Sequence, residues 1–325
     1  MRALMLSNPE STSLTDSVTR RIVGPLTKVC TIKSVHTMYA GHAEDICRGL
    51  SRSDFDVVIV VGGDGTVNEA VNGLLGHDPD HRPGPGDIPA LAVVPTGSAN
   101  VFARALGFPN DPEPAAKQLA SLIASRSVRR LPLGRVENRW FCVNTGIGLD
   151  ANVIDKMERL RKRGMIATPG AYLVLGLKAW AEVVKRRPTI SFRAHSGEKT
   201  THGEHLPLVM VSNTNPWTYA GPLPVILNPS AAVDNGLSLY GLRDIDGPGG
   251  AAALLHALGI GQRRWSLMRV DFREIRVDDI DRLVLTSQEP LKWQVDGESA
   301  GKSKKLELVS CAEVIDVVSP SDNGK

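Results

Sequence analysis

Two loops hold the residues best suited to chemistry: Val61-Gly62-Gly63-Asp64-Gly65-Thr66-Val67-Asn68-Glu69 and Pro95-Thr96-Gly97-Ser98-Ala99-Asn100-Val101-Phe102-Ala103-Arg104. Each follows a short apolar run and opens a helical pattern. That order points main-chain N–H groups and the positive end of a helix dipole at one spot, where an anion such as a nucleotide phosphate belongs. In the first loop, Gly62, Gly63 and Gly65 are able to take positive φ and to let a ligand approach the main chain. Asp64 repels a phosphate, so its carboxylate is suited instead to orienting a metal ion, a water or the loop itself. A tight βα turn that happens to be glycine-rich is the bland alternative. Three glycines, a carboxylate and a hydroxyl at the carboxyl end of a strand favour ligand binding over it. In the second loop Ser98 and Asn100 are also good helix caps, which would account for both without a ligand. Adjacent parallel strands place such loops around one crevice, and this gives the second loop its weight.

The elements that must position these loops are legible around them. Val57–Val61 is an unbroken β-branched run, which suits a strand buried on both faces. Val67, Ala70, Val71, Leu74 and Leu75 then fall on one helical face, and Gly76 stops the helix. Leu91–Val94 repeats the strand, and Asn100–Leu106 a short helix ended by Gly107 and Pro109. Across residues 1–127, strands at Ala3–Leu6, Val29–Val35, Asp56–Val61 and Ala90–Val94 alternate with helical stretches near 13–27, 42–51, 66–75, 99–106 and 114–126. This alternation predicts a doubly wound parallel α/β domain. Gly24-Pro25 should kink or shorten its first helix. From residue 128 the pattern turns to short alternating runs: Arg129–Val136, Trp140–Asn144, Thr189–Ala194, Leu206–Ser212, Leu237–Leu242, Glu274–Val277, Arg282–Thr286, Leu291–Val295 and Lys304–Val309. Helical segments near 151–163, 169–185 and 248–260 interrupt them. The fold class is thus α/β plus all-β, with a β-rich, sandwich-like domain over 128–310.

Composition sets bounds on function. The 325 residues are 42% hydrophobic and 22% charged, ample for two domains with real cores. A net charge of +3 gives no reason to expect nucleic acid. Cys30, Cys47, Cys142 and Cys311 are scattered without zinc or disulfide spacing, which fits a reducing cytoplasm. No apolar run approaches the roughly 20 residues that span a bilayer, and no signal peptide opens the chain.

Three further features lie in the second domain. Asp296-Gly297-Glu298 sits between strand-like runs, and Asp-Gly is a favoured hairpin turn, which is what spacing alone supports. Asp150 follows Gly146-Ile147-Gly148-Leu149 and precedes a helical pattern, where an N-cap role suffices. Lys156–Arg163 holds five basic residues, followed by Tyr172, Leu173, Val174, Leu175, Leu177, Trp180 and Val183, and then Lys185-Arg186-Arg187. Such a segment suits an anionic membrane surface, or equally a solvated basic helix before a core helix. Two motifs are decoys. Gly297–Ser303 is one residue short of a P-loop and precedes a strand-like run. His202 with His205, and His77 with His81, lack a helical frame for zinc.

The GGDGTVNEAVNG and GSANVFARALG segments resemble the diacylglycerol kinase catalytic-domain family, which includes bacterial lipid kinases and sphingosine and ceramide kinases. The GGDGT loop is more distantly similar to NAD kinase and 6-phosphofructokinase. Asn8-Pro9, the run Asn144–Asp150 and Val295-Asp296-Gly297-Glu298 match in the same order, so the resemblance extends from residue 8 to residue 298. It implies an NAD kinase/diacylglycerol kinase-like first domain whose partner is the C-terminal segment 311–325, returning to pack on it. It implies ATP as donor, with Asn8, Gly62, Gly63, Asp64, Gly65, Thr66, Asn68, Glu69, Gly97, Ser98 and Asn100 around the nucleotide and Mg2+ bridging its phosphates. Asp296 matches the general base that accepts the lipid hydroxyl's proton in a cleft between the domains, and Glu298 is a neighbouring carboxylate and candidate magnesium ligand. Asp150 matches an acidic position near the substrate headgroup. Diacylglycerol is the implied acceptor. A sphingoid base or another long-chain alcohol is the alternative within the class, and a nucleotide-binding regulator without turnover or a soluble-substrate kinase the alternatives outside it. Transient contact with the inner membrane face and a homodimer are among the expected associations. The chain departs from many bacterial members in two places: Val101 stands where they carry an acidic residue, and Ser98 where they carry threonine. Serine keeps the hydroxyl. Valine cannot bind a cation, so a structural magnesium site there would be absent or rebuilt.

Overall fold

Five consecutive β-branched side chains leave a strand no polar face, and β3 (Val57–Gly62) is buried along its whole length. The same holds for β4 (Ala90–Pro95), while β1 (Arg2–Ser7) is buried from its second residue on. With β2 (Thr31–His36) at the edge, these strands pair in parallel in the order β2-β1-β3-β4. Right-handed crossovers in this order put α1 (Asp16–Leu26) on one face and α2 (His42–Cys47) and α3 (Asp64–Leu75) on the other. The helix contacts agree: α2 packs on α3, and α1 packs on α5 (Pro112–Ala124), which follows the five-residue α4 (Val101–Ala105). Strand order reverses between β1 and β3, the place where open α/β sheets bind ligands.

The computed structural model describes residues 1–8, 16–78, 81–148, 185, 188–220, 223–257 and 270–321. The chain divides into two compact units, the first holding Met1–Leu133, Asn138–Cys142 and Cys311–Lys325, the second Gly134–Glu137 and Val143–Ser310. In the first unit the end of the last strand, β16 (Glu298–Val318), lies parallel to β4 with Val317 opposite Leu91. Asp316 fastens it there, accepting from Arg52 Nη2 at 3.0 Å and Arg130 Nε at 2.9 Å. The fold class is the one the sequence pattern predicts: a parallel α/β unit, then a β-rich unit.

The second unit is antiparallel. Its strands run β14 (Glu274–Ile280), β13 (Leu237–Leu242), β10 (Leu208–Ser212), β7 (Asn144–Ile147), β15 (Arg282–Val295) and β16, with β8 (Ile190–Ser196) and β9 (Lys199–Leu206) beside β15. A short hairpin, β11 (Thr218–Ala220) with β12 (Leu223–Val225), stands apart, and α6 (Gly247–Ala257) covers part of the core.

Several boundaries differ from the sequence pattern. Trp140–Asn144 is not one strand: β6 (Arg139–Phe141) pairs with β5 (Val128–Val136), and β7 starts anew at Asn144. The break has a cause, because the N–H groups of Val143 and Asn144 both turn to the Asp296 carboxylate. Leu206–Ser212 is likewise divided between β9 and β10. Conversely, Arg282–Thr286 and Leu291–Val295 are one strand with a shift of register between them, which absorbs the polar Ser287-Gln288-Glu289. The first helix runs through Gly24-Pro25 and ends one residue later, at Leu26. The segments expected to be helical at 151–163 and 169–185, and the basic-apolar stretch they contain, lie outside the described residues apart from residue 185. Among the described residues no helix is long and apolar enough to cross a membrane.

Candidate functional site

Register brings the first loop, the second loop and Asn8 to one edge of the parallel sheet. Ser7 lies opposite Val61 and Gly62 opposite Pro95, so the three strands end level. Asn8 N–H donates to Val61 O at 3.3 Å and Thr96 N–H to Gly62 O at 3.0 Å, which carries the pairing to the last residue before each loop turns away.

The glycines are required for proximity. Gly63 has φ −96° and ψ −176°, ordinary extended backbone, and Gly62, Gly63 and Gly65 are all absent from the positive-φ region. The flexibility expected of them from sequence is therefore not used. A Cβ on Gly97 would lie 2.6 Å from Gly63 Cα, and one on Gly62 would lie 2.9 Å from Thr66 Cβ. The two loops thus touch backbone to backbone, a contact that any side chain would wedge open.

Asp64 closes this contact. Its Oδ2 accepts from Val101 N–H and its Oδ1 from Phe102 N–H, each at 3.0 Å. The first loop thereby caps the helix of the second across 37 residues of chain. Of the three roles open to Asp64 from sequence, the geometry supports orienting the loop. Burial raises its carboxyl above the ordinary aspartate value, and the Phe102 and Val101 N–H groups act in the opposite direction. Asn100, the expected cap, makes no capping bond. It sits in the left-handed region at φ 49°, with Oδ1 accepting from Gly97 N–H at 2.8 Å and Nδ2 donating to Gly97 O at 2.9 Å and Asn110 Oδ1 at 2.8 Å. Its side chain therefore braces the turn, while Ser98 is exposed at the tip.

Two residues grouped with the nucleotide loop point elsewhere. Asn68 is buried on α3; its Nδ2 donates to Trp140 O at 2.8 Å, beside Asn72, which binds both the N–H and the carbonyl of Trp140. Glu69 accepts from Gly41 N–H at 2.7 Å and Ala43 N–H at 3.1 Å, holding the start of α2. Both fix the frame of α3. Thr66, Gly65 and the main chain of both loops stand nearer the edge, partly exposed.

In the second unit, Asp296 and Gly297 form the two-residue turn between β15 and β16, with φ 44° and 85°. Positive φ at both positions is the preferred hairpin geometry, and it explains the glycine. The turn does more than reverse the chain. Asp296 is 8% exposed, its Oδ1 accepts from Val143 N–H at 2.8 Å and Asn144 N–H at 2.9 Å, and its own N–H donates to Asn144 O at 2.9 Å. Gln294 completes the frame: buried, it donates to Asn144 Oδ1 at 2.8 Å and accepts from Gly297 N–H at 2.8 Å. Gln294 carries no signal of this role in the sequence, because a polar residue in an alternating strand reads as solvent-facing. Glu298 opens β16 with its side chain exposed. Asp150 lies outside the described residues. Among those described, no group of three or more His, Cys, Asp or Glu side chains could hold a metal ion.

Residues 2–136 match the diacylglycerol kinase catalytic domain. A diacylglycerol kinase of Staphylococcus carnosus is 26% identical over 286 residues, covering 88% of this chain and 84% of that protein. Among solved structures, a diacylglycerol kinase from Bacillus anthracis superposes with a TM-score of 0.68 at 21% identity, covering 98% of this chain and 97% of its own. An NAD kinase from Archaeoglobus fulgidus in complex with ATP gives a TM-score of 0.50 at 12% identity, covering 99% and 95%. These two likenesses speak to the fold.

Proposed function

We propose that this chain, which belongs through residues 2–136 to the diacylglycerol kinase catalytic-domain family and is a kinase, moves the γ-phosphoryl group of ATP to the hydroxyl of a lipid, diacylglycerol foremost. The observation that carries the donor half is the pair of glycine loops held backbone to backbone at the carboxyl ends of β3 and β4, next to the switch point between β1 and β3. The main chain of Gly62–Thr66 and Gly97–Asn100, with Asn8 and the Thr66 hydroxyl, receives the phosphates, the Gly97 N–H excepted because Asn100 Oδ1 already takes it. Asp64 serves by fixing the second loop, and Asn68 and Glu69 by fixing the helix behind the first.

Asp296 takes the proton of the lipid hydroxyl as its oxygen bonds to the γ-phosphorus and the bond to ADP breaks. A carboxylate suffices here, since phosphoryl transfer asks for an oriented nucleophile more than a strong base. Two main-chain N–H groups and a buried glutamine fix its direction. Mg2+ fits this donor set as a companion of the nucleotide, because it takes one or two carboxylates together with phosphate oxygens and needs no all-protein cage. Glu298 is the exposed carboxylate it would use, and it would neutralise charge on the phosphates. Reaching a lipid requires a membrane surface, so transient contact with one belongs to this reading.

Labelled phosphate transfer from ATP to a panel of diacylglycerol, a sphingoid base, a long-chain alcohol and NAD tests it. Transfer to diacylglycerol is expected to be fastest. A sphingoid base in first place would redirect the acceptor, and transfer to NAD alone would overturn the lipid reading.

A further inference from the structure

The stretch from Asn213 to Trp217, between β10 and β11, has no part in the chemistry above, yet its backbone brackets the residues that hold Asp296. Asn213 N–H donates to Val143 O at 2.7 Å, and Asn144 Nδ2 donates to Trp217 O at 2.9 Å. Within this stretch the indole Nε1–H of Trp217 and Oδ1 of Asn215 are sealed from solvent without a hydrogen-bond partner among the described residues. The direction of the second is set, because Asn215 Nδ2 donates to Pro229 O at 3.1 Å. Folded proteins retain few buried orphan groups, and each asks for a reason. Here a donor and an acceptor lie two residues apart. The Trp217 ring, meanwhile, packs against an apolar cluster that includes Met210, Val225 and Leu227. The segment therefore joins an apolar wall to a polar tip, as a lipid joins its chains to its head.

We infer that Asn213–Trp217 is the acceptor subsite of the Asp296 centre, and that it reads an uncharged oxygen function beside the reacting hydroxyl, Trp217 Nε1–H donating to an ester carbonyl and Asn215 Oδ1 accepting from an O–H. The inference rests on the lipid kinase reading and narrows it to neutral glycerolipids. A site built to bond a substrate oxygen discriminates against an analogue without it, since its own polar group is then left unpaired. A ligand-facing orphan also has a signature in stability: removing it relieves the empty enzyme while harming turnover.

The test is steady-state transfer from ATP to diacylglycerol, a sphingoid base and a plain long-chain primary alcohol in the same mixed micelles, with thermal melts of each protein. Trp217→Phe should lower kcat/KM for diacylglycerol about ten-fold, the worth of one hydrogen bond between neutral partners, and leave the plain alcohol within about two-fold. Its melting temperature should not fall. Asn215→Asp adds a negative charge at the same tip and should raise the ratio of sphingoid base to diacylglycerol about five-fold or more, by attraction to the ammonium group. Equal loss on all acceptors in Trp217→Phe, with an unchanged ratio in Asn215→Asp, overturns the subsite while the kinase stands. If Trp217→Phe does not fold, the Asn215→Asp ratio decides alone. Wild type without transfer to any lipid overturns the function and the subsite together.

Discussion

Asp64 and Asp296 use the same device for different ends. Each is a carboxylate that collects two main-chain N–H groups from a distant segment. Asp64 engages one N–H with each oxygen, Val101 with Oδ2 and Phe102 with Oδ1, and so locks two loops together. Asp296 accepts the N–H groups of Val143 and Asn144 on one oxygen, Oδ1. The first geometry makes an aspartate into a clamp. The second aims a carboxylate from the tip of a rigid hairpin. Acidic residues in glycine-rich turns therefore have to be sorted by which oxygens their backbone partners occupy, and residue type alone does not do it.

The largest effect should come from Asp296→Asn. The amide oxygen can still accept from Val143 and Asn144, so the fold should hold, while transfer falls by about 10²–10⁴-fold for want of a proton acceptor. Retained transfer would make the two aspartates equivalent as scaffolding and break the contrast. Gly97→Ala comes next. Its Cβ would stand 2.6 Å from Gly63 Cα. Prising the loops apart should destabilise the first unit by about 1–3 kcal/mol and weaken ATP binding more than it lowers the melting point would suggest. Calorimetric titration and a denaturant melt separate the two readings.

Asp64→Asn sharpens the contrast further. One of its two bonds is replaced by an N–H facing an N–H, which should cost about 1 kcal/mol and reduce ATP affinity several-fold, with the lipid KM unchanged. Its pH behaviour follows from burial, which lifts the folded carboxyl above the ordinary 3.8. The stabilisation held by the protonated form is complete below that value and is lost as pH rises through the raised one. Melting curves should thus show wild type losing stability relative to Asp64→Asn across this window, and a constant difference would refute the assignment. The smallest effect is expected from Asp316→Asn, which weakens two ion pairs whose arginines are 42% and 46% exposed. Solvent screening keeps this the smallest change in melting temperature of the series, with both nucleotide binding and transfer unchanged.

Much of this is legible in the sequence. The β-branched run at Val57–Val61, the helical face from Val67 to Leu75 and the Asp-Gly turn all depend on neighbours in sequence, and periodicity and turn chemistry reveal those. The rest was hidden by distance along the chain. Asp64 caps a helix 37 residues away and Asp296 bonds to Asn144 across 152 residues. Asn100 looked like a cap because its type suits one, yet the neighbouring loop had taken the position. Asn68 looked like a ligand contact because of its place in the motif, yet its amide is needed for the main chain of Trp140. The division of Trp140–Asn144 between two strands could not be read from an alternating run, since it is imposed by a carboxylate far downstream.

The most direct measurement is the ATP affinity of Gly97→Ala and Asp296→Asn side by side, by calorimetric titration of folded protein. Donor binding seated in the paired glycine loops and proton transfer seated in the Asp296 turn predict that the first variant loses affinity and the second keeps that of wild type. The reverse, with Gly97→Ala binding normally and Asp296→Asn failing to bind, would contradict the division of labour between the two sites.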